Sequence, residues 1–453
     1  MHEARDFVYF PPVAVPTLER IPLDAPAIAL YAASFVAIVL AARARPAYVP
    51  AILVALVPFA FYHDVGATTI SLSKVALAAA ILGLALGKRS LSPLRDGSAR
   101  LLLVCAALVT AATALSLWPA LYRGAALRET LKSLEYLLLF ATVVVAFRSE
   151  PDERPVRLAL AGSAAVVSLL ALAQYLTGAP SGIWFMNVPI PRIAGPLEGP
   201  NQLAGYLGIA LALVTAFVCT RRQVLAETAV LGLGSVALVL TISRAGVFAG
   251  LLGIAIVLLL AGGQERRAVI VALSGGVLAG VAILGAWGVA IAHSGLGLHF
   301  LERFATAAED PNSGEVGTRS QLWRAAWILW RRSPLLGIGA GNYELELGRA
   351  GYPKLHTHAN SLYIQALVEG GVPLLLSTLA LVAASIARFA RGPFREPLVL
   401  GVFAASVGFA LHQVFDLLVF YPKVGELWWI ALGLGAARLD MLASARTVHA
   451  SAA

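Results

Sequence analysis

The chain has 453 residues, of which 59% are hydrophobic and only 13% are charged, and its mean hydropathy is +0.80. Soluble domains carry about 25% charged residues, so this composition excludes an ordinary soluble enzyme and indicates a polytopic membrane protein. The net charge of +9 does not indicate nucleic-acid binding, because Lys and Arg occur in short clusters at the ends of apolar segments, as the positive-inside rule expects.

Apolar stretches of about the length that crosses ~30 Å of hydrocarbon recur along the chain, without the alternation of barrel strands. We therefore predict an all-α fold, a polytopic helical integral membrane protein with about 12 transmembrane helices. The predicted spans are 27–42, 47–62, 71–86, 101–117, 125–147, 156–177, 201–220, 224–242, 245–261, 268–292, 361–389, 397–418 and 427–439. The count is 12 or 13, depending on how the first two are treated, and the side of the N-terminus stays open.

Basic clusters set the predicted orientation. Lys88, Arg89 and Arg95 follow the third span, which places that connection in the cytoplasm. Counting onward puts the Gly- and Pro-rich segment 178–199 and the polar interval 293–360 on the opposite, outer side. We predict that residues 1–453 form a single transmembrane domain, with 293–360 inserted between two spans as a long outer loop that contains short helices.

Residues 319–332 of this loop predict a short interfacial helix. Its apolar residues recur at helical spacing and leave arginines on the other face; they are Leu322, Trp323, Ala326, Trp327 and Trp330. Two interpretations stay open: a membrane anchor, or a helix whose Arg319 and Arg324 face a polar cleft and hold an anion. The following GIGAG, residues 337–341, lacks the Lys-Ser/Thr ending of a P-loop, and we interpret it as a turn.

The segment LHTHANS, residues 355–361, admits three interpretations. His356 and His358 could share one face of an extended segment and bind a metal, but no third ligand is nearby in the sequence. Polar residues could instead start the next helix, with Asn360 as the N-cap. The functional alternative is a general base, since a neutral imidazole at the bilayer surface can take a proton from a sugar hydroxyl. We predict His358 as that base, with His356 in reserve, and no metal.

Arg192 and Arg244 are predicted on the outer side near His358, where the positive-inside rule makes arginine uncommon. Guanidinium groups bind phosphate oxygens through paired hydrogen bonds, and a lipid-linked diphosphate carries its charge near the membrane surface, where these arginines are predicted. The alternatives are an exposed loop charge for Arg192 and, for Arg244, an ion pair with a distant carboxylate such as Glu198 or Asp416.

Five segments in this order resemble the O-antigen ligase and O-antigen polymerase superfamily. They are RIAGPLEGPNQLAGYL from Arg192, TISRAG around Arg244, the start Arg319-x-x-x-Trp323, SPLLGIGAGNY, and HANSLYIQALVEGGVP from His358. The resemblance covers residues 190–375. One departure is that many relatives read His-Ala-His-Asn where this chain has His358-Ala359-Asn360-Ser361, so His358 or Asn360 occupies the usual place of the catalytic histidine.

The resemblance implies a metal-independent, inverting glycosyltransferase without a cofactor, on the periplasmic face of a bacterial inner membrane. Its donor would be an undecaprenyl-diphosphate-linked glycan and, in the ligases, its acceptor a lipid A core sugar. By the same resemblance, Arg192, Arg244 and Arg319 would hold the diphosphate and His358 would activate the acceptor hydroxyl, with Asn201 and Asn360 in support.

We therefore predict an O-antigen ligase whose partners are this donor, the lipid A core and membrane lipids, and not nucleic acid. An O-antigen polymerase or a protein O-oligosaccharyltransferase would use the same donor and differ in the acceptor. A polyprenyl-glycolipid transporter is the alternative of another class. A transporter should carry ionisable residues near the bilayer midplane, whereas the charges here gather at one surface.

Overall fold

A computed structural model describes residues 25–59, 62–65, 68–177, 184–185, 188–189, 192–220, 225–261, 266–292, 319–353, 355 and 357–452. The reserve base His356 and residues 293–318 of the predicted outer loop lie outside these ranges. Within them the fold is helical, with two short antiparallel hairpins. Strand β1 (Tyr62–Val65) pairs with β2 (Thr68–Ser71), and β3 (Trp184–Phe185) pairs with β4 (Val188–Pro189).

The long apolar segments form helices because a backbone in hydrocarbon must satisfy its hydrogen bonds internally. In chain order the helices are α1 (Ala25–Ala44), α2 (Tyr48–Leu56), α3 (Leu72–Leu86), α4 (Gly97–Leu115), α5 (Arg123–Ser149), α6 (Glu153–Thr177), α7 (Pro200–Thr220), α8 (Leu225–Leu240), α9 (Arg244–Leu260), α10 (Arg266–Ala292), α11 (Arg319–Trp330), α12 (Tyr343–Glu346), α13 (Leu362–Ala390), α14 (Pro397–His412) and α15 (Pro422–Ala452).

Seven of the helices in the described ranges are long and apolar enough to cross a membrane: α1, α4, α5, α6, α7, α10 and α13. Five shorter apolar helices accompany them, formed by α2 with the 3-10 turn that follows it, and by α3, α8, α9 and α14. The prediction of an all-α, multi-pass membrane protein is confirmed. The count of about 12 spans stays a prediction.

Helix α7 lies at the centre of the bundle, and nearly all its side chains from Gln202 to Cys219 are buried. It packs against α6, α8, α9 and α14. Gly208 of α7 faces Gly250 of α9 so closely that a Cβ at Gly208 would lie 3.4 Å from the Gly250 Cα atom. Small residues allow this approach of two backbones. The packing fixes the first turn of α7, which carries Asn201.

Ion pairs connect different helices at the end of the bundle that carries the basic clusters. The pairs are Arg45–Glu150 at 3.3 Å, Arg148–Asp96 at 2.8 Å and Arg438–Glu396 at 2.7 Å. Asp440 of α15 also accepts hydrogen bonds from the backbone N–H groups of Ser98 and Ala99, at 2.7 and 2.8 Å, in the first turn of α4. This satisfies two N–H groups that have no partner inside their own helix.

Helix α13 is broken at Gly371, where φ is 63° and ψ is −158°. Pro373 has no N–H to give to the Glu369 carbonyl, and the Val372 N–H points to Pro334 instead. The turn at 337–341 repairs the break, since Ile338 N–H donates to Val368 O at 3.0 Å and Gly339 N–H donates to Glu369 O at 2.9 Å. The predicted turn is therefore a structural element that completes α13.

We expect Gly371→Ala to lower the free energy of unfolding by about 3 kcal/mol or more. The backbone conformation at Gly371 is one that only glycine adopts easily, and a Cβ would overlap the Leu335 carbonyl. Gly162→Ala in α6 is the matched control, because a Cβ there meets nothing within 4 Å and alanine favours the helix. Thermal unfolding in detergent compares the two variants, and equal melting temperatures would contradict the prediction.

Candidate active site

The residues predicted from sequence come together at one end of the bundle. Arg192 precedes α7 and Asn201 lies in its first turn, while Arg244 and Arg319 begin α9 and α11. His358 lies in the segment that leads into α13. All of them lie at helix starts or in the segments that precede helices, so the helix packing brings together residues that are far apart in the chain.

Asp416 interacts with two of these arginines, Arg192 and Arg319. It lies in the segment Gln413–Tyr421 between α14 and α15, which we call the α14–α15 loop, and it is buried, with 5% of its surface exposed. Its carboxylate accepts hydrogen bonds from the Leu417 N–H at 2.8 Å and from the Asn201 side chain, and it interacts electrostatically with Arg319 and Arg192. Burial raises the pKa of Asp416, whereas these neighbours lower it.

Arg192 is held at the end of α8. Its Nε donates to the Thr241 carbonyl at 2.7 Å, and its Nη2 donates to Asn201 Oδ1 at 3.0 Å. Carbonyl groups at a helix C-terminus carry partial negative charge, so they favour a guanidinium there. The half-buried, hydrogen-bonded Arg192 is therefore not an exposed loop charge, and that alternative is wrong.

Arg319 and Arg244 form the other side of what we call the arginine cluster, which consists of Arg192 and Arg319 beside Asp416 and of Arg244 beside Arg319. Arg319 Nη2 donates to the Phe415 carbonyl at 3.2 Å, and its guanidinium lies 5.7 Å from the centre of the Phe415 ring. Partial burial lowers the pKa of Arg319; Asp416 opposes this and the charge of Arg244 adds to it. The cluster has three guanidinium groups and one carboxylate, so an anion would be attracted to it.

Glu198 Oε1 lies 3.9 Å from Lys423 Nζ, and Asp416 interacts with Arg192 and Arg319. An ion pair of Arg244 with one of these carboxylates stays a prediction.

His358 packs on the same α14–α15 loop. The centre of its imidazole ring lies 4.0 Å from that of Phe420 and 6.2 Å from that of Tyr421. Its Nδ1 is 3.9 Å from Glu344 Oε2. Burial lowers the pKa of His358 to about 4, and the charge of Lys132 acts in the same direction. The imidazole is therefore neutral at pH 7, as a general base must be.

Lys132 and Tyr421 complete the surroundings of His358. Lys132 Nζ lies 4.1 Å from the centre of the Phe420 ring and donates to Glu129 at 2.8 Å and to the Phe420 carbonyl at 3.1 Å. Tyr421 interacts electrostatically with Asp416 and Glu344, and burial is the main reason that its pKa is raised. Tyr421 is thus a neighbour of both His358 and Asp416, and its hydroxyl is protonated at neutral pH.

Asn360 does not serve as the N-cap of α13. Ser361 occupies that position, and Asn360 adopts a left-handed conformation with φ 50°. Asparagine tolerates this conformation better than most residues. Asn360 turns the chain between His358 and α13, so the cap interpretation of Asn360 is wrong.

The aromatic face predicted for the helix at 319–332 is divided in the structure. The helix ends at Trp330, and its buried side consists of Leu322, Ala325, Ala326 and Leu329. Trp327 is 54% exposed and its ring lies 4.8 Å from that of Trp330, as an interfacial face requires. Trp323 instead points inward, where its Nε1 donates to the Ala359 carbonyl at 3.0 Å. The interfacial position of the helix stays a prediction.

The predicted span 397–418 is wrong at its end, because α14 stops at His412. Gln413 and Asp416 interrupt the apolar run: their backbone carbonyls both accept the Leu362 N–H, at 2.9 and 3.0 Å, and Gln413 Oε1 accepts the Leu418 N–H at 2.9 Å. Sequence reasoning missed this loop and the positions of Phe420 and Tyr421, and it named Asp416 only as a possible partner of Arg244. Two polar residues inside an apolar run were the available signal.

Among the described residues, no group of three or more His, Cys, Asp or Glu side chains could hold a metal ion. The alternative that paired His358 with His356 involves a residue outside those ranges.

Comparison with known proteins identifies one domain. Residues 229–379 match the family model described as O-antigen ligase (Wzy_C). The matched segment contains Arg244, Arg319 and His358. No curated protein matches the chain.

Proposed function

We propose that this chain, which belongs to the O-antigen ligase superfamily, transfers O-polysaccharide from undecaprenyl diphosphate to a sugar of the lipid A core. The proposal makes it a multi-pass protein of a bacterial inner membrane with its active site facing the periplasm. The observation that carries the proposal is a neutral, largely buried imidazole that packs on the α14–α15 loop, whose Asp416 interacts with two arginines of the cluster.

The arginine cluster is the proposed site of the donor diphosphate. Arg192, Arg244 and Arg319 would surround the phosphates, and Asp416 with Asn201 would orient the guanidinium groups. When the bond from the anomeric carbon to the diphosphate oxygen breaks, negative charge grows on the leaving group. Donors oriented in advance stabilise that charge without having to reorganise.

His358 is the proposed base for the acceptor. A hydroxyl oxygen of the acceptor would form a bond to the anomeric carbon as the diphosphate departs from the opposite face, which inverts the configuration. The hydroxyl proton would pass to His358. Glu344, with a carboxylate oxygen 3.9 Å from Nδ1, would stabilise the resulting imidazolium.

The pH profile tests the protonation state of this base. Since burial lowers the pKa of His358 to about 4, we expect the transfer rate to stay level from pH 8 down to pH 5. A histidine with the ordinary pKa of about 6.5 would lose half its activity near that pH. A decline centred near pH 6.5 in the wild type would contradict the prediction.

Lys132→Met tests whether the pH profile moves in the direction expected when a positive charge beside His358 is removed. Removal of a positive charge beside His358 should raise the pKa of the imidazole and move the acidic decline to higher pH. The shift should be partial, because burial is the larger cause.

A reconstituted transfer assay tests the function itself. Purified protein in lipid is given undecaprenyl-diphosphate-linked O-polysaccharide, with lipid A core as the acceptor and a chelator present throughout. We expect the polysaccharide to appear on lipid A core, and metal-dependent rescue of an inactive sample would contradict metal independence. Lengthening of the donor-linked glycan would favour a polymerase, transfer to an added protein would favour a protein oligosaccharyltransferase, and movement of the donor across vesicles without product would favour a transporter.

A further inference from the structure

We infer that Trp323 and Gln365 are positioning residues for His358. They lie on two different helices, and each forms a hydrogen bond with a backbone group of Ala359, the residue next to His358. The inference rests on the proposed role of His358 as the base.

Both backbone polar groups of Ala359 are bound by side chains. The Ala359 N–H donates to Gln365 Oε1 of α13 at 2.8 Å, and the Ala359 carbonyl accepts the indole N–H of Trp323 of α11 at 3.0 Å. Ala359 is fully buried, so water cannot replace either bond at no cost. The residue next to His358 is therefore fixed on both sides.

The side-chain amide of Gln365 can form both of its hydrogen bonds in only one of its two orientations. Its Nε2 donates to Glu369 Oε1 at 2.8 Å, and the same carboxylate oxygen accepts the Tyr343 N–H at 3.1 Å. A flipped amide would place its NH₂ group against the Ala359 N–H and its oxygen against the carboxylate. Glu369 therefore fixes the direction in which Gln365 accepts the hydrogen bond.

Helix α11 connects this support to the arginine cluster. Trp323 lies one helical turn after Arg319, which bonds to the Phe415 carbonyl at 3.2 Å. One short helix thus carries a proposed diphosphate ligand at its start and a support of the base one turn later. It sets the distance between the two halves of the site, and displacement of a reacting group by ~1 Å can lower a rate by about 10²-fold.

Trp323→Phe tests the inference, because it removes the N–H donor and keeps an aromatic ring. Trp330→Phe is the matched control: Trp330 lies on the same helix about two turns after Trp323, and its indole N–H also donates to a backbone carbonyl, that of Pro334 at 3.1 Å. We expect Trp323→Phe to lower kcat about tenfold with the KM for the donor unchanged, and Trp330→Phe to stay near wild type. Thermal unfolding of both variants verifies that each is folded.

The pH profile separates positioning from a general loss of stability. If the His358 segment loosens, the imidazole becomes more exposed to water, so the acidic decline of kcat should move to higher pH in Trp323→Phe but not in Trp330→Phe. Gln365→Leu, which removes the other bond to Ala359, should shift the profile in the same direction.

Two results would overturn the inference, and they are distinguishable. If His358→Ala is inactive while Trp323→Phe and Trp330→Phe share one rate and one pH profile, the positioning role alone is wrong. If His358→Ala transfers at the wild-type rate, the proposed base role fails and the inference fails with it.

Discussion

We expect the transfer rate of the His358→Ala variant to fall by about 10²- to 10⁴-fold, the usual contribution of a general base. The acceptor hydroxyl is a poor nucleophile while it keeps its proton, and the proposed base, His358, is a largely buried, neutral imidazole with its Nδ1 3.9 Å from Glu344 Oε2. The measurement is the initial rate of glycan transfer to lipid A core in the reconstituted system, at saturating donor.

Donor binding is the control for this variant. His358 contacts Phe420 and Tyr421 and is not part of the arginine cluster, so binding of the undecaprenyl diphosphate donor should be retained. A variant that neither binds the donor nor melts like the wild type would be misfolded and would have to be replaced by His358→Gln. If a folded variant transfers the glycan at the wild-type rate, His358 is not the base.

We expect Arg192→Lys and Arg244→Lys each to lower kcat/KM by about 10- to 100-fold, although the positive charge remains. The planar guanidinium forms several directed hydrogen bonds, and charge-assisted bonds contribute about 1.5–3 kcal/mol each. Arg192 Nε donates to the Thr241 carbonyl and its Nη2 donates to Asn201 Oδ1, and these two bonds orient the guanidinium group. A lysine ammonium cannot reproduce this fork, so it should bind the diphosphate in a less defined position.

Arg331→Lys is the matched control for these variants. Arg331 lies just after α11 and its side chain is exposed, so the same exchange of guanidinium for ammonium should leave transfer near the wild-type rate. The variants are compared by transfer rate and by direct binding of the donor. Full activity in both Arg192→Lys and Arg244→Lys would argue against diphosphate binding by the arginine cluster.

The apolar segments of the sequence predicted most of the helices to within a few residues. Helix α6 was predicted at 156–177 and is found at Glu153–Thr177, and α9 was predicted at 245–261 and is found at Arg244–Leu260. The prediction failed at 397–418, where hydropathy alone could not show that Gln413 and Asp416 turn the chain. It also missed the break at Gly371, because the glycine-rich turn that completes α13 comes from a distant part of the chain.

The sequence by itself determined that the chain is a helical membrane protein and which side chains could perform chemistry. The physical reason is that a backbone in hydrocarbon must form its hydrogen bonds internally, which favours helices. Charged side chains are costly there, so those that occur are candidates for function. Only the tertiary structure decided which of those side chains meet. Asp416 beside Arg192 and Arg319, and Trp323 beside Ala359, depend on how separate helices pack, and the hydropathy of a segment contains no information about its neighbours in space.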